Sequence, residues 1–411
     1  MKKVLTIVHN LKKGGTQRAA QNFALGYKEL GHNSKILPLY EYGHRYEELR
    51  NEIQIFELIN DSVLDDIVEW QPDILHIHSH GPKKEDIFEL INFLNNNEVC
   101  PKVVETNVFS KPSPWEIKLD ASFQLSEWCQ WLYEKRGGDS SKSTILPYSV
   151  VTKNFKPARK ESVREFRKRY EIPNNAFVIG RIGQSITTKW CYTIFDVFEG
   201  VSSCNKNVYL LLINPPRKIV ELFNKSAYKE NLVVIDVIYG DDNLSIAYSS
   251  MDVFYHSAEQ GESFGLVIAE SILCGTPVIS LSTPWGDNSQ IEVVNNGIGG
   301  FVVHRPQAAI EIINRLIKKE LLYDSQNGVN HIKTQYDYPN VCEKALKIAF
   351  KARHDEKITS QQLWNILKLS YDEPRRFDLI LLKLQLRQVI RITSGYNSIF
   401  DFTKKIINRL R

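Results

Sequence analysis

Two carboxylates, Glu262 and Glu270, sit eight positions apart in ESFGLVIAESILCGTP, residues 262–277 of a 411-residue chain. A strand is expected over 252–256 and a helix from about Phe264 onward. Unpaired N–H groups and the positive end of the helix dipole collect at such a start, and Gly265 permits close approach. Ser263, Phe264, Gly265 and Leu266 can therefore cradle an anion. Glu270 then lies six residues into the helix, about 9 Å along its axis at about 1.5 Å per residue. One carboxylate before the cradle and one on the helix flank can hold hydroxyls on either side of a bound diphosphate, which is the layout of a nucleotide sugar. The plainer alternative is a helix with an acidic first turn and an ordinary surface glutamate, and spacing alone leaves both open.

His76, His78 and His80 form a second cluster, H-x-H-x-H. Alternation along a strand sets all three on one face. No carboxylate or cysteine accompanies them at ligand spacing, so no metal is expected there.

Strands and helices alternate through most of the chain. Strands are expected over 4–8, 34–39, 73–78, 102–106, 122–126 and 144–147, with helices over 17–30, 62–70, 86–95 and 127–136. A charged helical stretch between Pro157 and Pro173 has no matching strand and reads as an interdomain crossing. Strands then resume over 177–182, 208–214, 232–238, 252–256, 276–281 and 300–303. Helices fall over 190–201, 264–273, 308–322 and 341–351. This βαβ grammar argues for an α/β protein of two Rossmann-like, doubly wound domains facing a cleft, with a basic amphipathic helical tail. The expected boundaries are 1–157, 158–350 and 351–411. Open parallel sheets bind ligands beyond the carboxyl ends of their strands.

Composition narrows the class further. Apolar residues at 43% and charged residues at 24% exclude disorder and fibrous architectures. The net charge of +4 is uneven: residues 374–411 hold nine Lys or Arg against two acids, +7, leaving −3 for the rest. A neutral body with a basic tail is not a nucleic-acid binder of the usual kind. Six scattered cysteines without a C-x-x-C pair suggest reduced thiols. The first apolar run is too short for a secretory leader and no 18-residue apolar run exists, so a cytoplasmic protein is expected.

The stretch E-x7-E followed by ESILCGTPVIS resembles the donor site of the family-4 glycosyltransferases, retaining enzymes of the GT-B fold. Other motifs fall in that family's order: Gly14 and Gly15 after the first strand, Pro72–Asp73 running into His76 and His78, and Asp120 with Ser126 in DASFQLS. PYSV at 147–150 and Gly180-Arg181-Ile182 continue the series. The resemblance covers about residues 1–350. It implies that Glu262 contacts the donor sugar, that the amides of Ser263, Phe264, Gly265 and Leu266 touch the diphosphate, and that Glu270 binds the ribose. Arg181 and Lys189 would grip the diphosphate, and the loop of Gly14 and Gly15 would approach it. The histidine strand would line the cleft. The implied reaction is transfer of a sugar, with its anomeric configuration kept, from a nucleotide-diphosphate sugar to a hydroxyl of a glycan or lipid-linked acceptor in bacterial surface polysaccharide or lipopolysaccharide synthesis. No metal or other cofactor is implied. A GT-B epimerase, a phosphorylase or a non-catalytic GT-B binding protein are the alternatives.

Three departures mark this chain. The separation of Arg181 from Lys189 is longer than usual for the family. Asn107 stands near the place where many members carry a histidine, and an amide cannot exchange a proton as imidazole does, although it can bond a sugar hydroxyl. Gln17 replaces a common glutamate after the glycines. In the tail, Lys383, Arg387 and Arg391 recur every four residues, and Lys404, Lys405 and Arg409 flank a second amphipathic pattern. Such helices either lie on an anionic membrane or pack on the body.

Overall fold

The structure is a computed structural model that describes residues 1–351, 357–376 and 378. Two compact units divide the chain: Met1–Val151 with Gln335–Ser360, and Thr152–Thr334 with Gln361 onward.

The first unit carries a seven-stranded sheet in the order β3-β2-β1-β4-β5-β6-β7. These strands are β1 Lys3–Asn10, β2 Asn33–Glu41, β3 Gln54–Ile55, β4 Ile74–His78, β5 Lys102–Asn107, β6 Ala121–Gln124 and β7 Ser143–Ile145. Every pairing is parallel. Helices cover both faces, so the central strands are near-continuous apolar runs rather than alternating ones. Leu5, Ile7, Leu75 and Ile77 are fully buried with Leu90 and Leu94 of the helix Lys84–Asn96.

The second unit repeats the plan with six strands in the order β10-β9-β8-β11-β13-β15. Here β8 is Phe177–Ile182, β9 Val208–Ile213, β10 Leu232–Ile235, β11 Val253–His256, β13 Val278–Leu281 and β15 Gly300–Val303. Leu210, Leu212, Val253 and Ile279 meet Val197, Phe198 and Val201 of the helix Thr193–Ser202. The spacing of those three puts them on one helical face. Two more strands, β12 Gly261–Glu262 and β14 Asp287–Asn288, pair with each other outside this sheet. The expected pair of doubly wound sheets is therefore present, each with its strand order reversing beside its first strand.

Three expectations need correction. The charged stretch after Pro157 is a helix, Lys160–Arg169, inside the second unit rather than a crossing. Its Arg167 is buried. Its guanidinium donates to the carbonyls of Ser250, Asn174 and Ala176 and pairs with Asp252 at 3.0 Å. Residues 335–350, expected with the second domain, belong to the first unit. There the helix Tyr338–Phe350 lies on the helix Gly15–Glu29, with Cys342 Sγ 3.5 Å from the Phe23 carbonyl. The third correction concerns the histidine strand, expected to line a cleft: His76 and His78 are fully buried in the first unit.

The tail is described in part. The helix Ser360–Lys368 precedes Tyr371, whose N–H bonds the Val302 carbonyl and whose hydroxyl meets Arg315 and Glu311 in the second unit. The amphipathic patterns expected around Lys383–Arg391 and Lys404–Arg409 lie outside the described residues. Among the described residues no helix is long and apolar enough to cross a membrane.

Candidate functional site

In the second unit the sheet order reverses between β8 and β11, the switch point where open α/β sheets bind ligands. Arg181 is carried by β8, and its side chain is buried. The guanidinium lies 5.4 Å from the centre of the Trp190 ring and 5.6 Å from that of Phe254. Nη2 donates to the Lys189 carbonyl at 2.9 Å. Nε and Nη1 are buried without a hydrogen-bond partner. Burial pulls the group's pKa down to about 10, while the negative charge of Glu262 acts in the opposite direction. Arg181 thus stays cationic at neutral pH with two donors unsatisfied, which is a strong demand for an anion.

Lys189 ends the short 3-10 turn Thr187–Lys189. Its Nζ stands 2.7 Å from Glu262 Oε2 and 3.1 Å from Oε1. The backbone of Glu262 is fixed by the β12–β14 pairing and by the Ser289 N–H on its carbonyl at 3.0 Å. Gly261, with φ of 78°, makes this pairing possible: a Cβ there would stand 1.9 Å from the Asp287 carbonyl oxygen.

The helix after Glu262 begins later than expected, at Leu266, because Gly265 takes a left-handed φ of 94° and caps it. Ser263 and Phe264 are therefore loop residues leading into the turn. Glu270 falls in the middle of the eight-residue helix Leu266–Leu273 and is buried. The Tyr248 hydroxyl donates to Glu270 Oε2 at 2.9 Å, and the Tyr248 carbonyl accepts from the Thr276 hydroxyl at 2.8 Å. Burial, then the charge of Glu270, hold the Tyr248 phenol well above its usual range, so it is a donor at any working pH.

Lys189 thus touches Arg181 through its carbonyl and Glu262 through its ammonium, and the Gly265 turn with Glu270 follows directly along the chain. Sequence reasoning did not single out Trp190, Tyr248 or His256. None of the three carries a motif of its own.

Gly14, Gly15 and Asn107 belong to the first unit. Gly14 precedes the helix Gly15–Glu29, and a Cβ on it would stand 2.1 Å from Gln17 Oε1, whereas one on Gly15 would meet nothing within 4 Å. Gln17 donates to Asn10 Oδ1 at 2.9 Å. Asn107 ends β5 with its amide engaged: Nδ2 donates to Glu105 Oε1 at 3.1 Å and to the Lys111 carbonyl at 2.8 Å, and Oδ1 accepts from the Phe109 N–H. The Glu105 carboxyl is raised by burial and also accepts from Trp115 Nε1 and Ser122 Oγ. Asn107 therefore ties down the loop that follows β5.

The histidine triplet separates. His76 bonds the Tyr27 hydroxyl and Thr106 Oγ1, both at 2.8 Å, and burial lowers its pKa to about 3. His78 stacks on it at 4.8 Å, whereas His80 is exposed beside His9 and Phe109. Among the described residues no group of three or more His, Cys, Asp or Glu side chains could hold a metal ion.

Two doubly wound parallel sheets, one with a cation-lined switch point, define a GT-B fold. Residues 162–330 match the family model described as glycosyl transferases group 1. The capsular polysaccharide biosynthesis glycosyltransferase CapM of Staphylococcus aureus is 27% identical over 228 residues, 49% of this chain and 58% of CapM. That match therefore spans less than two thirds of the curated relative. HepE of Anabaena, solved in complex with UDP-glucose, superposes with a TM-score of 0.69 at 14% identity, covering 84% of this chain and 99% of that one. A glycosyltransferase of Rickettsia africae gives 0.67 at 19% identity, over 85% and 97% of the two chains. The solved structures share this chain's fold, and the family model falls within its second unit.

Proposed function

We propose that this protein is a retaining glycosyltransferase that moves a sugar from a nucleoside-diphosphate sugar to a hydroxyl of a glycan or lipid-linked acceptor. Bacterial surface polysaccharide or lipopolysaccharide synthesis is the setting, a reading supported by the likeness to CapM. The observation that carries it is the buried Arg181 with two unsatisfied donors, beside Lys189 and Glu262 at the switch point.

The donor diphosphate meets Arg181, Lys189 and the N–H groups at the Gly265 turn. Lys189 exchanges the Glu262 carboxylate for a phosphate oxygen, and Glu262 turns to the hydroxyls of the transferred sugar. Glu270, held by Tyr248, takes the ribose hydroxyls. As the bond from the anomeric carbon to the phosphate oxygen breaks, negative charge grows on the leaving diphosphate. Fixed cations and dipoles stabilise that charge more than the ground state. The acceptor oxygen bonds the anomeric carbon on the face being vacated, and its proton passes to the departing phosphate. No protein nucleophile is used. The cationic side chains carry the role that a divalent ion plays elsewhere, so none is required. Residues 379–411, with seven Lys or Arg against one acid, 7 − 1 = +6, draw the enzyme to an anionic surface that holds a lipid-linked acceptor.

The test is a thermal-shift screen against UDP-, GDP-, ADP- and CMP-sugars, followed by NMR of the product's anomeric configuration. A donor at a hundredfold excess over its Kd adds about 2.7 kcal/mol of stability. An inverted product rules out retention, and the absence of any nucleotide response rules out the donor site.

A further inference from the structure

Beyond Arg181, one more buried nitrogen near the switch point has no partner. His256 is the last residue of β11, the strand that flanks β8 across the reversal of strand order. Its ring is buried, Nδ1 lies 3.1 Å from Ser280 Oγ on the neighbouring β13, and Nε2 is without a hydrogen bond. Phe254, two residues earlier on the same strand, has its ring centre 5.6 Å from the Arg181 guanidinium, and the charges of Arg181 and Lys189 reach the His256 ring. Two orphan donors on Arg181 and one orphan nitrogen on His256 thus lie at the carboxyl ends of neighbouring strands. Buried polar atoms in folded proteins are nearly always satisfied, so this group calls for a ligand oxygen.

We propose that His256 is a third nitrogen ligand of the donor diphosphate, donating Nε2–H to a phosphate oxygen beside Arg181 and Lys189. With the Ser280 hydroxyl as donor to Nδ1, the ring proton sits on Nε2. Burial, then the charges of Arg181 and Lys189, hold the imidazole well below its ordinary pKa. The ring therefore acts as a neutral donor that adds direction without further charge. The inference rests on the donor-site reading above.

Isothermal titration with UDP and, separately, with inorganic pyrophosphate tests it in wild type, His256→Leu and His256→Gln, with the unliganded Tm of each variant measured. Gln keeps an N–H near the place of Nε2; Leu does not. Leu is expected to weaken both probes about tenfold or more, as befits a lost bond to a charged group, and Gln to stay within about threefold of wild type. Leu binding as tightly as wild type overturns the role of His256 and leaves the donor site standing. Equal losses in Leu and Gln, accompanied by lowered Tm in both, also overturn it, because they indicate packing alone. If wild type binds pyrophosphate but no nucleoside diphosphate, the donor reading falls while the pyrophosphate comparison still decides His256. Binding of neither probe overturns both.

Discussion

Lys189 Nζ reaches both carboxylate oxygens of Glu262, at 2.7 and 3.1 Å, so the two groups that would serve a phosphate and a sugar hold each other in the free protein. An internal counter-ion keeps the lysine positioned and offsets the cost of shielding both charges from solvent. It also means that a ligand phosphate competes with a carboxylate already in place.

Opposite effects on nucleotide affinity follow from that competition. Glu262→Gln frees Lys189, so UDP binding should hold or tighten while transfer falls by about a hundredfold or more, the scale seen when a transition-state contact is removed. Lys189→Ala should weaken UDP and transfer together. Titration calorimetry beside initial rates separates the two, and a loss of UDP affinity in Glu262→Gln would falsify the exchange of partners.

Glu270 yields a prediction specific to the sugar of the nucleotide. Its carboxylate is buried and oriented by Tyr248. Glu270→Ala should lower UDP affinity about tenfold, on the scale of one bond to a charged group, yet leave 2′,3′-dideoxy-UDP almost unaffected. Tyr248→Phe should give a smaller loss in the same direction. An equal loss for both nucleotides would move Glu270 away from the ribose.

How far these groups could be read from sequence depended on whether local pattern or tertiary contact placed them. Strands such as VYLLLIN and FVIGRI announce themselves because burial on both faces demands unbroken apolar runs. The start of the helix after Glu262 was misplaced by two residues, since the left-handed φ of 94° at Gly265 leaves no mark in the apolar spacing. Arg167 lay hidden in a run of charge that looked solvated, and nothing local marks the backbone carbonyls that satisfy it. The H-x-H-x-H pattern suggested one shared face, but β4 is central in its sheet and buries His76 and His78, while His80 beyond its end is exposed.

His78 carries a stability prediction. Both ring nitrogens are buried without hydrogen bonds, and burial, then His76, hold its pKa well below 6.5. The unfolded chain takes up a proton near pH 6.5 that the folded ring refuses, so stability is lost as pH falls below that value. At pH 5.5 a single such ring removes about 1.4 kcal/mol. His78→Phe should raise Tm at pH 7.5 and flatten the decline towards pH 5.5, as followed by circular dichroism. A lower Tm at both pH values would mean that packing against His76 and Phe23 outweighs the unpaired nitrogens.

Arg181 should trade stability against binding. In the free protein it is a buried cation with two unsatisfied donors, held by one carbonyl and two aromatic faces. Replacing a buried charge by an apolar side chain of similar length is often neutral or stabilising by about 1–4 kcal/mol. Arg181→Met is therefore expected to raise Tm without ligand and to abolish the response to UDP. Arg181→Lys keeps the charge but not the planar fork, so it should bind UDP more weakly than wild type and more tightly than Arg181→Met. The order of the three in titration, set against their order in unliganded Tm, is the measurement. If affinity and stability fall together from Arg to Lys to Met, Arg181 is a structural residue; if they run in opposite directions, its burial is maintained for the anion it binds.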